Sequence, residues 1–364
     1  MTRSRKGSVP DKPPEHPAPA EPAAKRQRVT IRDVAALAGV SAMTVSNVIN
    51  GKHRYVSDET RRRVMRVIQQ LDYRLLSSGR NLRLGNRQAI GVIIVDESPN
   101  FLSHPYISRM VSGLCGDLNL NGYAMIVQGV SPPEFANTIA LRRAEADAYC
   151  IRLHGSREQR EEMLGALARL REPIVLVQET LQIENGDRCV VRQDDFGGGR
   201  MLADHLAARN VRRMWVAVPR FSGPMTEARL GGIRDGFRAA RREVDIRLIV
   251  CDQGRFEDAY AIIRDCLASE ELPDAVLGIN DELALAALRV LQDQSLNVPD
   301  DVVVAGFNGF HPLAYAKPNL TTIVSCPMEV GTSAAQSLLH YLDEGRFAQS
   351  EIVLPVAFRK GEST

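Results

Sequence analysis

The sequence predicts a multidomain protein: an N-terminal all-α head, then an α/β core of two doubly wound subdomains. Three observations predict it. The chain has 364 residues, more than one ordinary domain of about 100–200 residues holds. Its net charge of +2 hides a division, because residues 1–88 hold 18 Lys and Arg against 7 Asp and Glu, a net +11 that the remainder offsets with −9. Near residue 89 the texture changes, from apolar residues at helical spacing to short apolar runs alternating with amphipathic stretches.

Composition sets the outer limits. Hydrophobic residues make up 44% and charged residues 25%, the values of a water-soluble globular chain. No apolar run reaches the roughly 18 residues that a membrane span needs. The N-terminus is basic and then proline-rich with no apolar stretch, unlike a secretory leader. Cysteines 115, 150, 189, 251, 266 and 326 are scattered with no C-x-x-C pair, so neither a zinc site nor a disulfide framework is expected and a reducing cytoplasm fits.

In chain order, residues 1–28 hold six prolines and few large apolar groups, a basic arm without a packed core of its own. Residues 29–75 form the head. Thr30 and Asp33 pair as a capping box opening a helix to about Ala38. Gly39 turns the chain, and Ser41 caps a second helix from about Ala42 to Ile49. Ser57 caps a third, which presents Val64, Val67, Ile68 and Leu71 on one face. Residues 76–87 connect to the core. There the expected strands are 89–95, 123–127, 148–153, 174–177, 214–218, 246–250, 275–279 and 302–307. Apolar strands separated by helices indicate parallel sheets covered on both faces. Eight of them exceed one small sheet and give two subdomains, about 88–191 plus 326–346 and about 192–325 plus 347–360.

The head carries the first functional motif. Residues 29–50, VTIRDVAALAGVSAMTVSNVIN, are two short helices about an A-G-V-S turn, a helix-turn-helix. Val34 and Ala35 face Val45 and Val48, so the second helix projects Ala42, Met43, Thr44 and Asn47 outward. A major groove admits one such helix, whose N-terminal side chains read base edges. Its first amides, near Ser41, suit a phosphate. The basic charge of this end fits a polyanion partner.

These motifs, with VSDETRRRV (56–64), SSGRNLRLGNRQAIGVIIV (77–95), GIND (278–281), VPDDVVVAGFN (298–308) and PNLTTI (318–323), resemble the lactose-repressor/galactose-repressor family of bacterial regulators over about residues 29–360. The resemblance implies a transcription regulator, repressor in type, that binds pseudo-palindromic double-stranded operator DNA as a homodimer. It also implies a core like the periplasmic sugar-binding proteins, switched by a small-molecule effector, with no cofactor, no metal and no membrane. Thr30, Ser41, Ala42, Met43, Thr44, Ser46, Asn47, Asn50, Arg54 and Tyr55 are the implied DNA contacts of the head. Residues 76–87 match a hinge helix in which Leu82 wedges between base pairs and Arg80 and Arg83 meet phosphates. Gly79 stands where the family more often has alanine and costs that helix about 1 kcal/mol.

Open α/β sheets bind ligands beyond the carboxyl ends of their strands. Arg152 lies near the end of an expected strand, Gln178, Asn280 and Asn308 follow theirs, and the resemblance adds Tyr106, Ile107, Arg229 and Phe256 as effector contacts. Asn280 equally suits a helix cap. Gln178 and Asn308 are neutral where sugar-binding members commonly carry acids, whereas Arg152 and Arg229 are cations. That balance favours an anionic sugar derivative, unless Glu179, Asp194 or Asp281 neutralises the arginines. The Gly197–Gly198–Gly199 run lacks phosphate-loop spacing and reads as close helix–sheet packing. The rival readings are weaker. A sugar-metabolising enzyme would show a nucleophile elbow, an H-E-x-x-H or a phosphate loop, and a periplasmic-type binding protein would have a leader and no DNA-binding head.

Overall fold

The computed structural model describes residues 29–49, 55–73, 87–138, 142, 145–181, 187–220, 223–252, 254–310 and 316–364. The arm 1–28, Asn50, Arg54 and the hinge positions Arg80, Leu82 and Arg83 lie outside the described residues. The chain divides into two compact units, Met1–Arg80 and Asn81–Thr364.

In the first unit, α1 (Ile31–Ala38), α2 (Ala42–Ile49) and α3 (Asp58–Gln70) begin at their expected caps. The Asp33 amide donates to Thr30 Oγ1 at 3.4 Å and the Thr30 amide to Asp33 Oδ2 at 2.7 Å, the reciprocal capping box. The Thr44 amide donates to Ser41 Oγ at 3.1 Å and the Thr60 amide to Ser57 Oγ at 3.3 Å. Gly39 ends α1 at φ 62°, where a side chain would be strained. Val34, Ala35, Ala38, Val45, Val48, Val64 and Val67 meet in one buried cluster. Small β-branched and alanine side chains let three short helices close on each other without a large core.

The second unit holds two sheets. The first is built from β1 (Ala89–Val95), β2 (Ala124–Val130), β3 (Ala148–Arg152), β4 (Ile174–Val177), β5 (Arg188–Gln193) and β11 (Glu351–Leu354), in the order β11-β5-β4-β3-β1-β2. Every neighbouring pair is parallel. Helices α4 (Pro105–Leu120), α5 (Arg157–Leu167) and α10 (Pro327–Glu344) belong with it. Ile90, Val92 and Ile94 enter one core and Ile93 and Val95 another, so β1 is apolar throughout because both its faces are covered.

The second sheet joins β6 (Arg213–Pro219), β7 (Asp245–Cys251), β8 (Ala275–Gly278), β9 (Val303–Asn308), β10 (Thr321–Val324) and β12 (Ala357–Arg359), in the order β12-β10-β9-β8-β6-β7. Its helices are α6 (Asp195–Ala208), α7 (Pro224–Ala239), α8 (Phe256–Ser269) and α9 (Asp281–Asp293). Only β12 runs antiparallel among the described pairs.

The chain crosses between the sheets three times, at 193–195, 324–327 and 354–357. This corrects the expected second subdomain: Glu351–Leu354 pairs with β5 of the first sheet, and only from Ala357 does the chain return to the second. The last residues continue there, with Ser363 Oγ donating to the Val304 carbonyl at 2.6 Å and Ser363 and Thr364 buried.

Candidate functional site

The head presents one face of α2. Val45 and Val48 are buried, and this orients the opposite side outward. Met43 is 70% exposed, Tyr55 is 75% exposed, and Ala42 is exposed. Thr44, Ser46 and Asn47 are half-buried, which corrects the full outward projection expected of Thr44 and Asn47. Thr44 Oγ1 lies 2.9 Å from Ser41 Oγ, folded back onto the helix start. Thr30 and Ser41 both serve as caps. An exposed methionine in the first turn of a helix, beside that helix's first amides, suits a partner that offers methyl groups and phosphates together.

The second site is a cleft of about 700 Å³ in the core. Ile107, Arg152, Gln178, Arg229, Asn280 and Asn308 line it, with Asp96, His104, His154 and Arg255. Tyr106 and Phe256 do not. Tyr106 is buried behind the floor, its hydroxyl 3.5 Å from Gln193 Oε1, and burial raises its phenol. Phe256 opens α8 and lines a separate depression with Tyr260, Leu285 and Lys317; its neighbour Arg255 faces the cleft instead.

The floor is a hydrogen-bonded network centred on Asp195. Arg229 donates from Nε to Asp195 Oδ1 at 2.7 Å, from Nη1 to the Ile279 carbonyl at 2.7 Å and from Nη2 to Asn308 Oδ1 at 3.1 Å. Its guanidinium lies 3.7 Å from the centre of the Phe307 ring, a stacked arrangement that suits arginine. Gln178 Nε2 donates to Asp195 Oδ2 at 3.3 Å, and Gln193 Nε2 to Asp195 Oδ1 at 2.8 Å. Burial raises the Asp195 carboxyl, and Arg229 opposes the shift. Asp195 is therefore the partner that sequence reasoning missed. Glu179 goes to Arg160, Asp194 caps α6 through the Gly197 amide at 2.8 Å, and Asp281 accepts from Thr322 Oγ1 at 2.6 Å.

Two floor residues have unusual backbones. Gln178 sits at φ 59° and Asn308 at φ 119°, conformations that L-residues rarely adopt and that cluster where side chains are aimed at ligands. Asn280 is a cap, its Oδ1 accepting from the Leu283 amide at 3.0 Å, yet it still faces the cleft.

Arg229 is placed by glycine. A Cβ on Gly199 would lie 2.2 Å from the Arg229 carbonyl oxygen, and one on Gly232 would lie 1.9 Å from that of Phe196. The glycine run thus serves a close helix–helix crossing as well as the expected helix–sheet contact, the latter through Gly198 against Phe307.

Across the cleft, Arg152 is 13% exposed by its side chain, with Asp96 Oδ2 4.0 Å away. Burial, with Arg152 beside it, brings the His154 imidazole down to about 4. Among the described residues no group of His, Cys, Asp and Glu is placed to hold a metal ion, and no helix is long and apolar enough to cross a membrane.

A helix-turn-helix in a three-helix head, in one chain with a two-sheet core that has a polar cleft at its strand ends, defines a DNA-binding protein with a ligand-binding core. Residues 30–74 match the family of bacterial regulatory proteins, lacI family, and residues 203–364 match the periplasmic binding protein-like domain. The chain belongs to this family of regulators. It is 26% identical to the HTH-type transcriptional repressor PurR of Haemophilus influenzae (strain PittEE), over 91% of this chain and 98% of that protein. The structure of a transcriptional regulator CelR–cellobiose complex superposes with a TM-score of 0.65 at 26% identity, covering 93% of this chain and 100% of that one. The Lac repressor dimer bound to operator and the anti-inducer ONPF shares the fold, with a TM-score of 0.79 at 22% identity over 93% and 99% of the two chains.

Proposed function

We propose that this protein is a transcription repressor that binds pseudo-palindromic operator DNA as a homodimer and is switched by a sugar or sugar-derived effector in the core cleft. The observation that carries the reading is the coexistence in one chain of an outward α2 with exposed Ala42 and Met43 and a cleft lined by strand-end amides and arginines. A single helix-turn-helix reads only a half-site, so two copies are required for a palindrome. The cellobiose in the CelR complex supports a hydroxylated effector. Cytoplasmic residence, on the nucleoid when bound, belongs to the same reading. Arg80, Leu82 and Arg83 enter it as hinge contacts by resemblance.

Selection of bound sites from a random double-stranded DNA pool tests the reading. The full chain is expected to return an inverted-repeat motif, and M43A to relax one position in each half. Recovery of no motif, with only salt-sensitive association, overturns it.

A further inference from the structure

The basic groups of the core differ in what they are already bonded to. Arg229 commits Nε and both Nη atoms to Asp195, Ile279 and Asn308. Arg160 is paired with Glu179 and Glu227. Among the described residues Arg152 has no comparable set. There it donates from Nη1 to the Val95 carbonyl at 3.5 Å. Its closest carboxylate oxygen is Asp96 Oδ2 at 4.0 Å, beyond hydrogen-bond reach. Its Nε is shielded from solvent and has no acceptor. A guanidinium carries five N–H donors in a fixed fork, and a charge held away from water without a partner is unfavourable until something supplies one.

Of the acidic groups of the cleft only Asp96 stands at ion-pair distance, and it makes no hydrogen bond to Arg152. Asp252 is held by Arg220, Glu282 accepts from the Phe256 amide, Asp195 belongs to Arg229, and Glu97 is exposed. Asp96 already accepts from the Ser98 amide through Oδ1. Gln178, Asn280 and Asn308 offer neutral amide groups on the cleft wall. These exchange hydrogen bonds with hydroxyls and compensate no ligand charge.

Resting on the reading of the cleft as the effector site, we infer that its effector is a hydroxylated small molecule bearing one carboxylate or phosphate. The anion sits in the fork of Arg152 and the hydroxyl-bearing body lies toward Gln178, Asn280 and Asn308. Both anions match the planar donor pair of a guanidinium, whereas a lysine at the same place would act as a point charge.

The test is calorimetric titration of the full chain with a matched panel: neutral pentoses, hexoses and disaccharides, their sugar acids, and their phosphate esters. The tightest ligand is expected to be anionic, and whether it is an acid or an ester identifies the source of the charge. R152Q is expected to weaken it by about tenfold or more, with R152K recovering only part. D96N, which removes the carboxylate nearest Arg152, is expected to tighten the anion. Thermal unfolding of R152Q and D96N checks that each variant folds. A neutral sugar as the tightest ligand, unaffected by R152Q, overturns this inference and leaves the reading of the cleft intact. Binding of no panel member overturns both.

Discussion

Arg160 and Glu179 are each 1% exposed, and their side chains meet at 3.2 Å. Arg160 also reaches Glu227 on α7 at 3.3 Å, so one guanidinium ties the first subdomain to the second. Its Nε and Glu179 Oε2 remain without hydrogen bonds, which makes the pair a weak source of stability and a costly one to break. R160M leaves the buried Glu179 carboxylate without a cation, held only by the Thr180 and Leu181 amides. It is expected to lower core stability by about 3–5 kcal/mol in urea unfolding, with R160M/E179L recovering most of the loss; equal instability of both variants would refute the pairing argument. His154 gives a pH signature. Its folded-state pKa is about 4 against an ordinary 6.5, so between those values the unfolded chain binds more protons. Its contribution should fall as pH drops from about 6.5 to about 4 and level off below. Urea midpoints across that range should show a shallower slope for H154Q, and an unchanged slope would exclude His154 as a source. On the head, N47A should relax preference at one base pair per half-site by about 1–3 kcal/mol. An unchanged selected motif would remove Asn47 from the reading face.

At the scale of elements, the α6–α7 crossing decides where Arg229 lies. The Cβ added by G199A meets backbone oxygen at 2.2 Å, so the helices must part. About 1–3 kcal/mol of stability should be lost, and effector affinity should fall with the displaced guanidinium. G116A, on α4, meets nothing within 4 Å and should be neutral or slightly stabilising. Thermal unfolding with effector titration separates the two; equal behaviour would contradict the packing argument. The same elements show what the residues reveal in advance. The three head helices were legible because Thr30, Gly39, Ser41 and Ser57 mark their ends. Six of the eight expected strands were legible because both their faces are covered, and β2 and β7, half-exposed at the sheet edges, because their centres are apolar. Four strands were not. Arg188–Gln193 has only three apolar residues, set between two arginines and a glutamine, and is buried at every second position; Thr321–Val324 begins on two buried threonines; Glu351–Leu354 is a half-exposed edge and Ala357–Arg359 has three residues. In the cleft, six of the eight expected lining residues are present. Tyr106 failed because helical periodicity turns it into the core, and Phe256 because it faces a different depression. The positive φ of Gln178 and Asn308 leaves no mark in residue type. Nor does the choice of Asp195 over Asp194 as the partner of Arg229, since adjacent residues at a helix start differ only in the direction they point.

At the scale of the whole molecule, the three crossings between sheets are stitched together at the cleft floor. Gln193 Nε2 donates to Ser325 Oγ at 3.0 Å, and the Cys326 amide to Gln193 Oε1 at 3.3 Å. The Asp194 amide donates to the Leu354 carbonyl at 2.8 Å, and Ser325 Oγ to Asn308 Oδ1 at 3.2 Å. The crossings and the ligand-facing amide Asn308 therefore share one network, and a ligand that engages the amide acts on the segments joining the two subdomains. A ligand shifts such an equilibrium only by its difference in affinity for the two arrangements, and coupling between sites is typically about 1–3 kcal/mol. The most direct measurement is the dissociation constant of the full chain for its selected operator, at fixed salt, with and without a saturating cleft ligand. A change of about 5–150-fold is expected, abolished in a variant that no longer binds the ligand. An unchanged operator affinity, with calorimetry showing the cleft filled, would contradict that coupling.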